Sequence, residues 1–259
     1  MQSTGRTAVA GGTGTAGRHV VDLLRERGHD VVVLARATGV DLLTGVGLDA
    51  ALAGVGTVVD VTSTTATSSA GSVRFFRPAT EHLLAAAARA GVRHHLVLSV
   101  VGTDRAPFGH YAGKLVQEAL VAQGPVPWTV LRATQFHEFA AQFLERSAVG
   151  PLAVVPRARC EPVAAREVAE RIASLVAAGP AGRVADLAGP REERLADLAR
   201  AWAAAAGRRG AVLEVPLPGA FGAAARDGSL LGGPGADRGR LTFERWLAQR
   251  GRAPAASAG

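Results

Sequence analysis

Seven residues near the start of the chain, Gly11-Gly12-Thr13-Gly14-Thr15-Ala16-Gly17, have the composition of a phosphate cradle. Gly11, Gly14 and Gly17 follow the spacing GxxGxxG, which permits a tight turn, close approach of backbone to a pyrophosphate, and close packing of a helix on a strand. The apolar run Thr7-Ala8-Val9-Ala10 precedes the turn. Arg18-His19-Val20-Val21-Asp22-Leu23-Leu24 and then Val31-Val32-Val33-Leu34 follow it. That order is strand, glycine turn, helix, strand, so the helix offers free N–H groups and its positive dipole end to the phosphates of a dinucleotide. Gly11, Thr13, Gly14, Thr15, Ala16, Gly17 and Arg18 are therefore cofactor-binding candidates.

The second strand discriminates among dinucleotides. An acid near its end would hold a ribose 2′-hydroxyl, whereas an arginine accommodates a 2′-phosphate. The strand ends Leu34-Ala35-Arg36 with no acid before Asp41, and Arg18 adds a second positive charge, so NADP(H) is preferred. The plainer alternative is that Arg36 is a solvated strand-end arginine. Asp41 and Leu42 come next as candidates beside the cofactor. Asp41 either accepts a hydrogen bond from the adenine amino group or caps the short helix expected around 48–52.

A further chemical signal is a singleton. Of 29 basic residues, 28 are arginine and one is Lys114. A compact ammonium kept in a chain so biased towards guanidinium marks a position that arginine does not suit.

The elements that must position these groups alternate between apolar strands and helices. After Arg36 come a short helix, the strand Thr57-Val58-Val59-Asp60-Val61, a loop over 66–72, a long helix over 73–90, and the strand His95-Leu96-Val97-Leu98. Thr62 and Ser63 follow the first of these strands and Ser99 follows the second. Ligands of open α/β sheets lie outside the carboxyl ends of strands, so these polar ends face the cofactor. A helix entered near 107–110 carries Lys114, and the strand Pro127 to Arg132 opens into Ala133-Thr134-Gln135-Phe136-His137. Later segments are shorter and glycine-rich. The fold class is α/β, a Rossmann-type doubly wound parallel sheet. Residues 1–150 form the NAD(P)-binding core, 151–251 a small C-terminal substrate lobe interleaved with it, and 252–259 a disordered tail.

Composition narrows the function. The 259 residues, 48% of them hydrophobic, can bury a large core. The net charge of +7 comes from scattered arginines without interleaved aromatics, so no direct nucleic-acid partner is expected. No apolar run reaches the roughly 18 residues that would span a bilayer, and no export segment opens the chain. The single cysteine, Cys160, excludes an intramolecular disulfide and fits a reducing cytoplasm; no residues have metal-ligand spacing. The expected partner is a small molecule, and a homodimer is admitted.

Five motifs in order resemble the short-chain dehydrogenase/reductase superfamily and, within it, the atypical NmrA-like NAD(P)H-binding group. They are Gly11 to Gly17, Leu98-Ser99-Val100-Val101-Gly102, His110 to Glu118, Leu131-Arg132-Ala133-Thr134-Gln135-Phe136, and Pro162-Val163-Ala164-Ala165-Arg166-Glu167-Val168-Ala169. The resemblance implies that Lys114 binds the nicotinamide ribose and, in reductases, lowers the pKa of a tyrosine four residues earlier on the same helical face. Here that position holds His110, and the tyrosine is displaced to Tyr111, about 100° round the helix. His110 or Tyr111 acts as the catalytic acid, or His110 lines the pocket and Tyr111 packs. Ser99 either orients a substrate oxygen or satisfies a strand end. Thr134, Gln135, Phe136, His137 and Phe139 are expected to border the nicotinamide and an apolar, flat substrate, with Phe136 and Phe139 equally suited to a core.

Three functions are compatible: an NADPH-dependent reductase of a carbonyl, quinone or enone; a non-catalytic NADP(H) redox sensor acting through another protein; and a non-redox tailoring enzyme on the same fold.

Overall fold

The computed structural model describes residues 5–149 and 152–252. The segment 253–259, expected to be a disordered tail, lies outside them. In chain order the elements are β1 (Arg6–Ala10), α1 (Thr15–Glu26), β2 (Asp30–Leu34), α2 (Leu48–Leu52), β3 (Thr57–Asp60), α3 (Ser69–Arg89), β4 (His94–Val100), α4 (His110–Gln123), β5 (Trp128–Ala133), α5 (Glu138–Ser147) and β6 (Ala148–Val149). They continue with β7 (Leu152–Pro156), β8 (Arg159–Cys160), α6 (Ala165–Ala178), β9 (Gly182–Arg183), β10 (Leu187–Ala188), β11 (Glu193–Arg194), α7 (Leu195–Ala205), β12 (Ala211–Val215), α8 (Gly219–Asp227), β13 (Asp237–Arg238) and α9 (Phe243–Arg252).

The chain forms two compact units, Met1–Ala133 with Arg166–Ala185, and Thr134–Ala165 with Asp186–Gly259. In the first unit every strand pairing is parallel, in the order β2-β1-β3-β4-β5-β9. Helices supply the crossovers, as parallel pairing requires. The strands are buried on both faces, which is why β1 and β4 read as continuous apolar runs. The chain reverses direction across the sheet between β1 and β3, and the space outside their carboxyl ends is the switch point of a Rossmann-type fold.

Two local devices fix the helices that flank this point. α3 begins at Ser69, ahead of the expected 73, because the Ser68 side chain caps it by accepting from Gly71 N (3.1 Å). α4 begins at His110 behind Gly109, which has φ +55° and donates its N–H to Ser69 Oγ (2.9 Å). A Cβ at Gly113 would stand 2.1 Å from Ser72 Oγ and 2.5 Å from the Phe76 ring, so this glycine lets α4 lie directly on α3.

The second unit contains the mixed sheet β12-β7-β6, the pairs β11-β8 and β10-β13, and helices α5, α7, α8 and α9. Cys160, Leu195, Leu198, Phe243 and Trp246 form one of its cores. Helix α8 has no counterpart in the sequence expectation, because its small-residue run Gly-Ala-Phe-Gly-Ala-Ala-Ala lacks a strong apolar stripe.

Candidate functional site

The glycine turn is built as its spacing requires. Gly11 has φ +77°, and a Cβ there would stand 2.8 Å from Val61 O and 2.9 Å from Thr62 N. A Cβ at Gly17 would stand 2.0 Å from Gly11 O, so only glycine lets α1 start against the turn. Gly14 is different. It has φ −79°, it is exposed, and its Cβ would meet only Gly11 O, at 3.3 Å. The fold therefore has little need of glycine at 14, whereas a ligand pressed against the first turn of α1 would. Gly14 N-caps α1 without any side-chain cap, and no acid stands in the first turn. The residues present thus fit the diphosphate of a dinucleotide. Thr13 and Arg18 are exposed, Thr15 is half-buried and Ala16 is buried.

Arg36 opens a single 3₁₀ turn, Arg36–Thr38, directly after β2. Thr38 Oγ1 reaches back to Ala35 O (2.8 Å) and Val33 O (2.9 Å), which fixes the turn to the end of β2. Arg18 and Arg36 are both exposed, and neither has an ion pair among the described residues. Asp41 does not cap α2, whose N-cap is Gly47; its Oδ1 accepts from Leu43 N (2.8 Å) inside the preceding loop. Leu42 is half-buried against the core, and its carbonyl accepts from His82 Nδ1 (3.1 Å).

At the end of β3, Thr62 is buried with its hydroxyl turned inward to Asp60 Oδ1 (2.6 Å), while Ser63 is exposed. Ser99 is buried near the end of β4 and its Oγ has no hydrogen-bond partner, so it does not satisfy the strand end.

Lys114 is buried, and its Nζ donates to Thr62 O (2.8 Å), Leu98 O (2.8 Å) and Gln117 Oε1 (2.9 Å). An ammonium has three donors, and all three are taken, so a bond to a ribose hydroxyl requires that one of these be released. Burial pushes its pKa down to about 8, against the opposing pull of Asp60 and Glu118, and it remains mostly protonated at neutral pH. Gln117 was not among the expected site residues; the available signal was a polar side chain three residues after Lys114 on the inward face of α4.

His110 is half-buried, edge-to-face on Phe76 with ring centroids 5.4 Å apart. Burial first, and then the Lys114 charge, push its pKa down to about 4. At pH 7 roughly one ring in a thousand carries the extra proton, which makes His110 a poor general acid. Tyr111 is buried in the helix packing.

The remaining expected residues belong to the second unit. Thr134 is buried, and its Oγ1 donates to Glu161 O (2.5 Å). Gln135 and Phe136 are half-buried; Gln135 O accepts from Val163 N, and Phe136 forms a parallel bridge with Val163. His137 does not line a pocket. It is fully buried, bonded through Nε2 to Leu241 O (2.9 Å), with Phe243 and Trp246 packed around its ring. Phe139 is exposed and tilted against Phe143.

Comparison with known proteins agrees with this architecture. Residues 11–177 match the model of a family described as NAD(P)H-binding, and the chain belongs to that family. It is 31% identical over 214 residues to the (4-alkanoyl-5-oxo-2,5-dihydrofuran-3-yl)methyl phosphate reductase of Streptomyces griseus, covering 74% of this chain and 72% of the other. Among solved structures, a nucleoside-diphosphate-sugar epimerase from Staphylococcus aureus superposes with a TM-score of 0.70 at 16% identity, over 93% of this chain and 99% of that one. An NADPH-dependent quinone oxidoreductase from Escherichia coli gives 0.65 at 18% identity, over 94% and 99%. The latter two likenesses concern the fold. No described helix is long and apolar enough to cross a membrane.

Proposed function

We propose that this chain is a cytoplasmic NADPH-dependent oxidoreductase whose substrate is a small, apolar enone or quinone. The observation that carries the proposal is the missing acid. His110, which stands four residues before Lys114 on α4, is held neutral, so that position offers no ready proton at neutral pH. A simple ketone needs one as its oxygen gains charge, and such help is worth roughly a hundredfold or more. A conjugated acceptor spreads that charge over its own carbonyls and takes its proton from water.

The bound cofactor would supply the hydride. Backbone N–H groups of Thr13 and of residues 15–17 would hold its diphosphate, and Arg18 and Arg36 the 2′-phosphate, which sets NADP(H) apart from NAD(H). Two relatives support the acceptor class. The Streptomyces griseus reductase is named for a ring whose double bond is conjugated with carbonyl groups, and the Escherichia coli protein is named for quinones.

The direct experiment follows NADPH absorbance with a naphthoquinone, a cyclic enone and an aryl ketone. Turnover is expected with the first two and at least about a hundredfold slower turnover with the ketone. Equal rates for ketone and enone would remove the acid-free reading. Tight NADPH binding with no turnover on any acceptor would favour the redox-sensor alternative. In a second experiment, Arg36→Asp is expected to weaken NADPH binding by roughly tenfold or more while NADH binding holds or improves, because the charge that attracts the 2′-phosphate is reversed. Unchanged preference in calorimetry would return Arg36 to the solvent.

A further inference from the structure

We propose that Gln117 and Asp60 are positioning residues: they hold the Lys114 ammonium as a brace across the carboxyl ends of β3 and β4, and so fix the shape of the switch point where the cofactor docks. The last clause rests on the function proposed above. The brace itself rests on geometry alone.

The hydrogen bonds form a closed circuit. Lys114 Nζ donates to Gln117 Oε1 (2.9 Å), and Gln117 Nε2 donates to Asp60 Oδ2 (2.9 Å) and Thr62 Oγ1 (3.3 Å). Asp60 Oδ1 accepts from Thr62 N (3.0 Å) and from Thr62 Oγ1 (2.6 Å), and Lys114 returns to Thr62 through its carbonyl. Turning the Gln117 amide over would set its NH₂ against the ammonium and its oxygen against the carboxylate, so the two charges fix its orientation. Thr62 is thus held from three sides, and Gly11 lies so close that a Cβ there would stand 2.9 Å from the Thr62 nitrogen. The third Lys114 bond reaches Leu98 O, on β4. The brace therefore ties α4 to both strand ends and, through Thr62, to the glycine turn.

This accounts for the single lysine. Three acceptors converge on one nitrogen, which suits a tetrahedral ammonium. A planar guanidinium spreads its donors in a fork and cannot meet them.

Loss of one Lys114 proton removes a donor and opens the circuit. The groups around it are Asp60 on β3, His95 on β4, and His110 and Glu118 on α4, the last ion-paired with Arg132 of β5; α3 contributes the Phe76 ring, 4.7 Å from Nζ. Burial keeps both histidines neutral, so Lys114 is the member that titrates near pH 8.

Gln117→Leu and Gln117→Glu in the full chain test the proposal by amide exchange and by NADPH calorimetry from about pH 6 to 9. In Gln117→Leu, amides of residues 61–64 and 98–101 are expected to exchange at least roughly tenfold faster while those of β1 and β5 do not change. NADPH binding weakens by about tenfold, and its inflection, near pH 8 in the wild type, moves down because the ammonium has lost an acceptor. Gln117→Glu restores the acceptor and moves the inflection up, but it replaces the donor to Asp60 and Thr62 with an oxygen, so the amides of residues 61–64 still exchange faster than in the wild type. Wild-type exchange and an unmoved inflection in Gln117→Leu overturn the proposal, as does acceleration spread evenly over the sheet. If Gln117→Leu does not fold, Asp60→Asn must produce the same local pattern. A wild type that takes up no NADPH refutes the cofactor assignment and leaves the exchange data to decide the brace.

Discussion

Gly17→Ala is expected to deprive the protein of its cofactor and of much of its stability. The added methyl would stand 2.0 Å from Gly11 O and 2.7 Å from Gly12 Cα, both backbone atoms that cannot rotate away. Relief requires α1 to lift from the turn, yet Val20, Val21 and Leu24 on the same helix are buried. Overpacking of this kind costs about 3 kcal/mol, or a fall of roughly 6–12 °C in melting temperature for a chain of this size. NADPH binding should weaken by roughly a hundredfold, because the N–H groups that would meet the diphosphate are displaced together. Gly14→Ala is the control. Its methyl meets only Gly11 O at 3.3 Å, so the melting temperature should hardly move while NADPH binding weakens by about tenfold. If calorimetry and thermal melts move in parallel for both variants, the open space at Gly14 serves the fold rather than a ligand.

Arg132→Met should be the most damaging substitution away from the turn. The guanidinium is buried and bidentate to Glu118, through Nε to Oε1 (2.8 Å) and Nη2 to Oε2 (2.7 Å), with Nη1 on Asp104 (2.9 Å). The Glu118 side chain is 12% exposed, so without its partner it is left as a desolvated, uncompensated carboxylate. That costs about 3–5 kcal/mol. Asp104 is 55% exposed and contributes little. Pairing Arg132→Met with Glu118→Leu should recover most of the loss in urea titrations, since it removes the orphaned charge along with its partner. A double variant no more stable than the single one would mean that Arg132 acts by packing alone.

What the sequence disclosed was chiefly local. The turn, the helix behind it and the two apolar strands beside it lie within thirty residues, and each follows from spacing and residue type. The start of α3 was less legible, because Ser69, Gly71 and Ser72 have weak helix propensity, and Ser68 makes the helix begin there as its cap. Lys114 stood out by its rarity. Its surroundings did not, because Thr62 lies 52 residues away and the Asp60 that orients Gln117 lies 57 residues from it. His137 shows the same limit in reverse. Its place just after a strand suggested a pocket wall, but Leu241, Phe243 and Trp246, more than a hundred residues downstream, close over it. Local pattern identifies an element, whereas burial of a particular face depends on partners the pattern does not contain.

The solitary, enclosed lysine has one more consequence. Apart from Lys114 the chain carries no side-chain amine, and Lys114 is 3% exposed. Acylating reagents, aldehydes and enzymes that modify ε-amino groups therefore find no such target on the folded surface. When one does react, it reports that β3 and β4 have parted at their ends, and the rate of labelling becomes a clock for that opening.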